Sequence, residues 1–121
     1  MALELLDQKA ARGEATRQSL MRSAERLFAE KGANNVTIRE IVETAGQKNE
    51  SALQYHFKNL EGLIAATHRY RDAQIVAVRS RCLDEIANQS NQPRLRDMAM
   101  AMVHPTFELA GKYADFRRYI R

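Results

Sequence analysis

Little in this sequence can cross-link, kink or span. Cys82 is the one cysteine in 121 residues, so no internal disulfide can form and a reducing, cytoplasmic location is expected. The two prolines, Pro93 and Pro105, both fall late, so nothing fixes φ in the chain before them. No apolar run approaches the ~20 residues a membrane span needs. The N-terminal MALELLDQKAAR has neither a continuous apolar core nor a cleavage site, so no signal peptide is expected. Tryptophan is absent and aromatic residues make up only 7%. β-branched residues are also sparse beside Ala, Leu, Met, Arg, Glu and Gln, and that balance favours helices. Hydrophobic residues at 45% and charged residues at 28% indicate a globular chain, long enough for one modest core.

The net charge of +4 and a pI near 9.5 are compatible with a polyanionic partner. Residues 1–60 hold nine Lys/Arg and eight Asp/Glu, a net of +1, whereas residues 61–121 hold ten and seven, a net of +3. Bulk charge therefore does not point at one segment, and a nucleic-acid reading must rest on local placement.

Residues 1–13 read as a frayed leader whose Lys9 and Arg12 either reach a phosphate or minor groove or are simply solvated. A first helix is expected over Glu14–Lys31, where Leu20, Ala24, Leu27 and Phe28 fall on one stripe. Gly32 follows as a left-handed cap. Thr37 with Glu40 three residues on spells a capping box, and Val36 with Ile41 a hydrophobic staple. The second helix they start buries Ile38, Ile41 and Val42 and stops at Ala45-Gly46. Gln47 and Lys48 form a turn, and Asn49 suits the N-cap of a third helix of about two turns. Leu53 and Phe57, four apart, give that helix one narrow apolar edge. Its other faces carry Lys48, Asn49, Glu50, Ser51, Gln54 and Tyr55. Such a helix makes a poor structural element and a suitable recognition helix.

Asn59 then caps a long helix over Leu60–Gln89. One stripe on it runs Leu63, Ala66, Tyr70, Ala73, Ala77; a second runs Ile75, Val78, Cys82, Ile86. Ser90-Asn91-Gln92-Pro93 breaks it, with Pro93 at a first helical position. Leu95, Met98, Ala99, Met102 and Val103 repeat helically, Pro105 kinks or divides that segment, and Gly111 ends it. Tyr113–Arg121 opens another amphipathic piece, with Phe116 and Ile120 four apart, and stops in mid-pattern. A fragment, or an unusual mode of association, is expected.

Thr16-Arg17, Ala24, Leu27-Phe28, Gly32, Val36-Thr37-Ile38-Arg39-Glu40-Ile41, Ala45-Gly46, Leu53, His56-Phe57 and Leu63 together resemble the N-terminal domain of TetR-type (tetracycline-repressor-like) transcriptional regulators. The match covers about residues 16–63. The resemblance implies an all-α protein: a three-helix helix-turn-helix DNA-binding domain over 1–60, then a long linking helix and the start of a helical ligand and dimerisation domain over 61–121. It implies a homodimeric repressor, released by a small apolar ligand, on a pseudo-palindromic operator in double-stranded DNA. Two features depart from the family. One extra residue lies between Gly46 and His56, which shifts base contacts by up to one position. Leu60 stands where a backbone-gripping lysine is common, leaving Lys58 as the nearest cation.

Lys48, Asn49, Ser51 and Gln54 are the candidates for base edges or adjacent phosphates, since Gln suits adenine and Lys guanine; each alone is equally an ordinary solvated side chain. Thr37, at a helix N-terminus, and Arg17, Tyr55, His56 and Lys58 are the candidate backbone contacts. Tyr55 is alternatively half-buried packing, and His56 a brace for the next helix. Met98, Met102, His104 and Phe107 are candidates for an apolar ligand pocket, against the plainer reading of core packing. No cofactor, metal or catalytic group is expected. His68 and Cys82 lie fourteen residues apart on one helix, about 21 Å along its axis, and there is no metal-ligand spacing, phosphate loop or nucleophile elbow. The reading from another class is a helical protein-interaction module that has lost DNA binding.

Overall fold

A computed structural model of the chain describes residues 1–89 and 92–120. The described residues form six α-helices and no strand: α1 Ala2–Lys31, α2 Ile38–Thr44, α3 Ser51–Phe57, α4 Leu60–Gln89, α5 Leu95–Lys112 and α6 Ala114–Tyr119. A short 3-10 turn, Ala33–Asn35, joins α1 to α2. The all-α reading therefore holds. By compactness the chain divides into Met1–Thr67 and His68–Arg121, with α4 running through the division.

The leader is not a frayed tail. α1 begins at Ala2 and takes residues 2–13 into a helix of 30 residues. Ala, Leu, Glu, Gln, Lys and Arg there are strong helix formers, and Gly13 alone is too weak a breaker to interrupt them. The helix stays in solvent along this stretch, with Leu3, Leu5 and Leu6 exposed. Further on it becomes a packing element: Leu20, Met21, Ala24 and Leu27 are buried. Gly32 closes it at φ 83, ψ 148. That is an extended backbone of positive φ rather than the left-handed helical cap expected, and it turns the chain sharply toward α2.

α2 has only seven residues and cannot be stable alone. It is fixed at both ends. The Thr37 hydroxyl accepts from the Glu40 amide at 3.2 Å, and the Glu40 carboxylate accepts from the Thr37 amide at 2.9 Å, completing the capping box. Lys31 Nζ donates to the same carboxylate at 2.6 Å, tying the end of α1 to the start of α2. At the far end Gly46, φ 74, turns the chain: its amide donates to the Glu43 carbonyl and that of Gln47 to the Val42 carbonyl, both at 3.0 Å. This is the glycine-dependent Schellman closure. The Ser19 hydroxyl donates to the Ala45 carbonyl at 3.3 Å, a second tie to α1. Val36, Ile41 and Val42 are buried, and Leu53, Phe57, Leu63 and Ala66 complete this unit's core.

In the second unit Phe116 of α6 is fully buried, the Arg71 guanidinium lies 5.9 Å from its ring centre, and His68 Nδ1 is 3.1 Å from the Tyr119 hydroxyl. Tyr119 thus takes the place expected for Ile120, which is exposed. α5 continues through Pro105 and past Gly111 to Lys112, so Pro105 does not divide the segment, and the helix runs one residue beyond the expected end at Gly111. Pro105 and Ala101, one turn before it, are both buried, so packing covers the turn in which the proline removes a hydrogen bond. Pro93 lies ahead of the helix; the Arg94 amide donates to Asp97 at 3.2 Å and starts α5 at Leu95, two residues later than expected. Ser90 and Asn91 of the expected break, and Arg121, lie outside the described residues.

Candidate nucleic-acid interface

α3 is short, and two side chains hold it down. Leu53 is 0% and Phe57 7% exposed, while Ser51, Gln54 and Tyr55 face solvent. The spacing i, i+4 puts both anchors on one edge and leaves the rest of the cylinder free. The helix starts at Ser51, one residue later than an N-cap at Asn49 implies. Asn49 still does a cap's work: its side-chain oxygen accepts from the Ser51 amide at 3.0 Å and from the Ser51 hydroxyl. Asn49 and Ser51 therefore engage each other, and any base contact must compete with that bond. Lys48, Asn49 and Gln54 are all exposed.

Tyr55 is 82% exposed, which removes the half-buried alternative for it. Its ring meets that of His56 edge-on at 4.9 Å between centres. The two residues form a ridge between two grooves. One, about 690 Å³, is lined by Thr16, Gln47, Lys48, Asn49, Ser51 and Tyr55 among others. The second, about 370 Å³, runs along α1 past Leu6, Lys9, Ala10, Gly13 and Arg17. Thr16 and Gln47 are thus neighbours of the candidate residues that sequence reasoning did not assign to DNA, and Lys9, expected in the leader either to reach a phosphate or minor groove or to be solvated, lines the second groove. Gln47 carried a signal, being the first residue past the glycine turn; the placement of Lys9 beside α3 follows from the leader being helical.

The backbone candidates divide. Lys58 is exposed and holds φ 75, ψ −49, the one positive φ outside glycine among the described residues. That geometry lies near the uncommon γ-turn region, which costs a side chain roughly 1–3 kcal/mol. Thr37 is exposed, but its hydroxyl and amide are already engaged with Glu40, whose carboxylate sits where a phosphate would approach the α2 N-terminus. Lys31 and the Thr37 amide hold that carboxylate below its usual range, so it remains an anion. Arg17 is half-buried, with its guanidinium 5.3 Å from the Phe57 ring centre and 3.9 Å from Glu14. It braces α3 as much as it faces solvent. His56 is also half-buried, beside α1 at Gly13. Leu60 is half-buried as well.

The candidate pocket residues lie at the surface. Met98, Met102 and Phe107 are exposed on α5, Phe107 at 71%. His104 lines a cleft of about 230 Å³, shared with Cys82, Glu85, Ile86, Asp97 and Met100. Cys82, His104 and Glu108 come together as potential metal ligands, a grouping the spacing along the chain does not reveal. None of the described helices is long and apolar enough to cross a membrane.

Comparison with known proteins agrees with this geometry. Residues 20–67 match the family model described as bacterial regulatory proteins, tetR family. The chain is 33% identical over 89 residues to the HTH-type transcriptional repressor AcnR of Corynebacterium diphtheriae; the match takes in 74% of this chain and 41% of that relative. The chain therefore spans about two fifths of the length of the curated relative it matches. No solved structure matches it significantly. A capped α2, a glycine turn and an exposed α3 lie inside the matched segment, and residues 20–67 are an N-terminal domain of the bacterial regulatory proteins of the tetR family.

Proposed function

We propose that this chain is the DNA-reading part of a transcriptional repressor. The observation that carries the reading is α3: two buried anchors on one edge, and Ser51, Gln54 and Tyr55 in solvent on the others. Lys48, Asn49, Ser51 and Gln54 are assigned to base edges or neighbouring phosphates, and Lys58, Tyr55 and His56 to the backbone, with Thr37 and Arg17 in secondary roles because both have partners within the fold. Residues 1–60 form the reading domain, and residues 61–121 belong to a regulatory domain. Two chains set their α3 helices in successive major grooves, ~34 Å apart, on a pseudo-palindromic site in cytoplasmic DNA. Release by a small apolar ligand is proposed for the whole protein. Its support here is that Met98, Met102 and Phe107 leave apolar surface on α5 that calls for cover.

Selection from a random DNA pool followed by gel shifts at two salt concentrations tests this. An enriched site with two related halves is the expected result. Lys58→Ala weakens binding to all sequences and lowers the salt slope by about one. Gln54→Ala relaxes preference at one base position. Absence of enrichment, or two variants indistinguishable from the parent on every sequence, overturns the reading in favour of a protein-interaction module. Thermal-shift screening against apolar small molecules tests the ligand; uniformly null shifts count against it.

A further inference from the structure

We propose that Cys82, His104 and Glu108 form a binding site for a borderline divalent metal ion, Zn²⁺ foremost. This goes beyond the DNA reading and does not rest on it. His104 and Glu108 lie four apart on one face of α5, and Cys82 reaches them from α4, all within the second unit. One donor atom from each lies within 4.8 Å of the other two. Bonds of about 2.0–2.3 Å at tetrahedral angles place zinc donors about 3.3–3.6 Å apart. His104 Nε2 stands 3.4 Å from a Glu108 oxygen, so that pair already has the spacing. The thiol needs to close by at most about 4.8 − 3.6 = 1.2 Å, within reach of a rotamer adjustment.

The donor set decides the class of ion. A thiolate with an imidazole and a carboxylate favours Zn²⁺, Co²⁺ or Ni²⁺ over Mg²⁺ or Ca²⁺, which prefer oxygen alone. The adjoining cleft brings two further carboxylates, Glu85 and Asp97, so a fourth position can be filled by water or by a carboxylate. At present Arg81 holds Glu108 at 2.6 Å and its Nε lies 4.0 Å from Glu85. Arg81 is thus a built-in competitor with a second partner to move to. Metal entry replaces a cation on Glu108 by a stronger one and releases the Cys82 thiol proton to solvent. A link between α4 and α5 by ion pair becomes one by coordination.

Titration of the reduced full chain with Co²⁺, read in absorbance, tests this. The expected result is a near-ultraviolet thiolate-to-cobalt band with the visible bands of a tetrahedral ion, saturating at one ion per chain and displaced by Zn²⁺. Cys82→Ser abolishes the thiolate band. His104→Ala and Glu108→Gln each weaken binding by at least about tenfold. Arg81→Ala tightens it, which binding at an unrelated surface group would not show. Circular dichroism confirms that each variant is folded. No thiolate band, a band unaffected by His104→Ala and Glu108→Gln, or saturation at one ion per two chains overturns the proposal.

Discussion

Replacing Gly62 by alanine reverses the effect such a change usually has in a helix. Gly62 lies in the first turn of α4, where its amide donates to the Asn59 side chain at 2.8 Å. In an ordinary helical position alanine stabilises over glycine by about 0.5–1 kcal/mol. Here a Cβ would stand 1.9 Å from the Phe57 carbonyl oxygen, against a floor near 3.0 Å for real contacts. Backbone must therefore move by at least 3.0 − 1.9 = 1.1 Å. The atom that blocks it is the carbonyl of the last residue of α3, not the tip of a flexible side chain. Overpacking of this kind costs about 1–3 kcal/mol, occasionally more. Net destabilisation by about 1–2 kcal/mol is expected after the propensity gain is subtracted. Urea unfolding followed by circular dichroism measures it. Because relief comes by pushing the end of α3 outward, affinity for a selected DNA site falls beyond what the unfolded fraction explains. A variant as stable as the parent, or more stable, refutes the close approach.

Lys58→Gly removes a side chain from a positive-φ position, so stability rises by up to about 1–2 kcal/mol, less whatever the freer unfolded chain takes back; DNA affinity falls at the same time, and gel shifts beside unfolding curves would show the opposed signs. Leu53→Ala costs about 2–5 kcal/mol in denaturant unfolding, because a fully buried leucine leaves a cavity under α3. Glu40→Gln keeps a capping side chain but removes the charge shared with Lys31. Lys31 and the Thr37 amide hold Glu40 below its ordinary pKa, so its contribution is present above the usual carboxylate range and is lost as pH falls through the lowered value. Lys31 is raised, chiefly by the same hydrogen bond, so its contribution is present below the usual lysine value and is lost as pH climbs through the raised one. The Tm difference between parent and Glu40→Gln is therefore largest in the neutral range, vanishes in acid and shrinks with salt. A difference that persists unchanged in acid contradicts the charge argument.

The elements with chemical punctuation were legible in the sequence. Thr37 and Glu40 announced α2, Gly46 its end, Asn59 the start of α4, and Leu53 with Phe57 the edge on which α3 lies. What failed lacked such marks or needed three dimensions. The leader looks like a solvated tail because helix propensity there comes without an apolar stripe, although nothing in Ala2–Arg12 opposes a helix. Pro105 suggests a kink or a division because its removal of one hydrogen bond is visible in sequence, whereas the burial that lets the helix continue is not. The strain at Lys58 and the contact at Gly62 belong to a turn whose residues carry no unusual pattern. Cys82 and His104 sit on different helices, so no spacing rule joins them.

The first unit distributes its restraints unevenly, and the distribution follows from what α3 must keep free. A helix of seven residues with two anchors has too little buried area to set its own orientation. Orientation has to come from what flanks it. Upstream, the Schellman closure at Gly46 and the Asn49–Ser51 hydrogen bond fix the entry of the chain. Downstream, the Lys58 turn, the Asn59 cap and the Gly62 contact fix the exit. α2, pinned to α1 through Lys31–Glu40 and Ser19–Ala45, is the platform between them. None of these restraints uses the side chain of Gln54 or Tyr55, the two α3 residues most free to meet a ligand. Substitution at either is therefore expected to leave stability within about 0.5 kcal/mol of the parent, while changes at Gly46, Asn59 or Gly62 act on affinity through geometry. A Gln54 or Tyr55 variant that unfolds would show that α3 leans on those side chains and is not held from its ends.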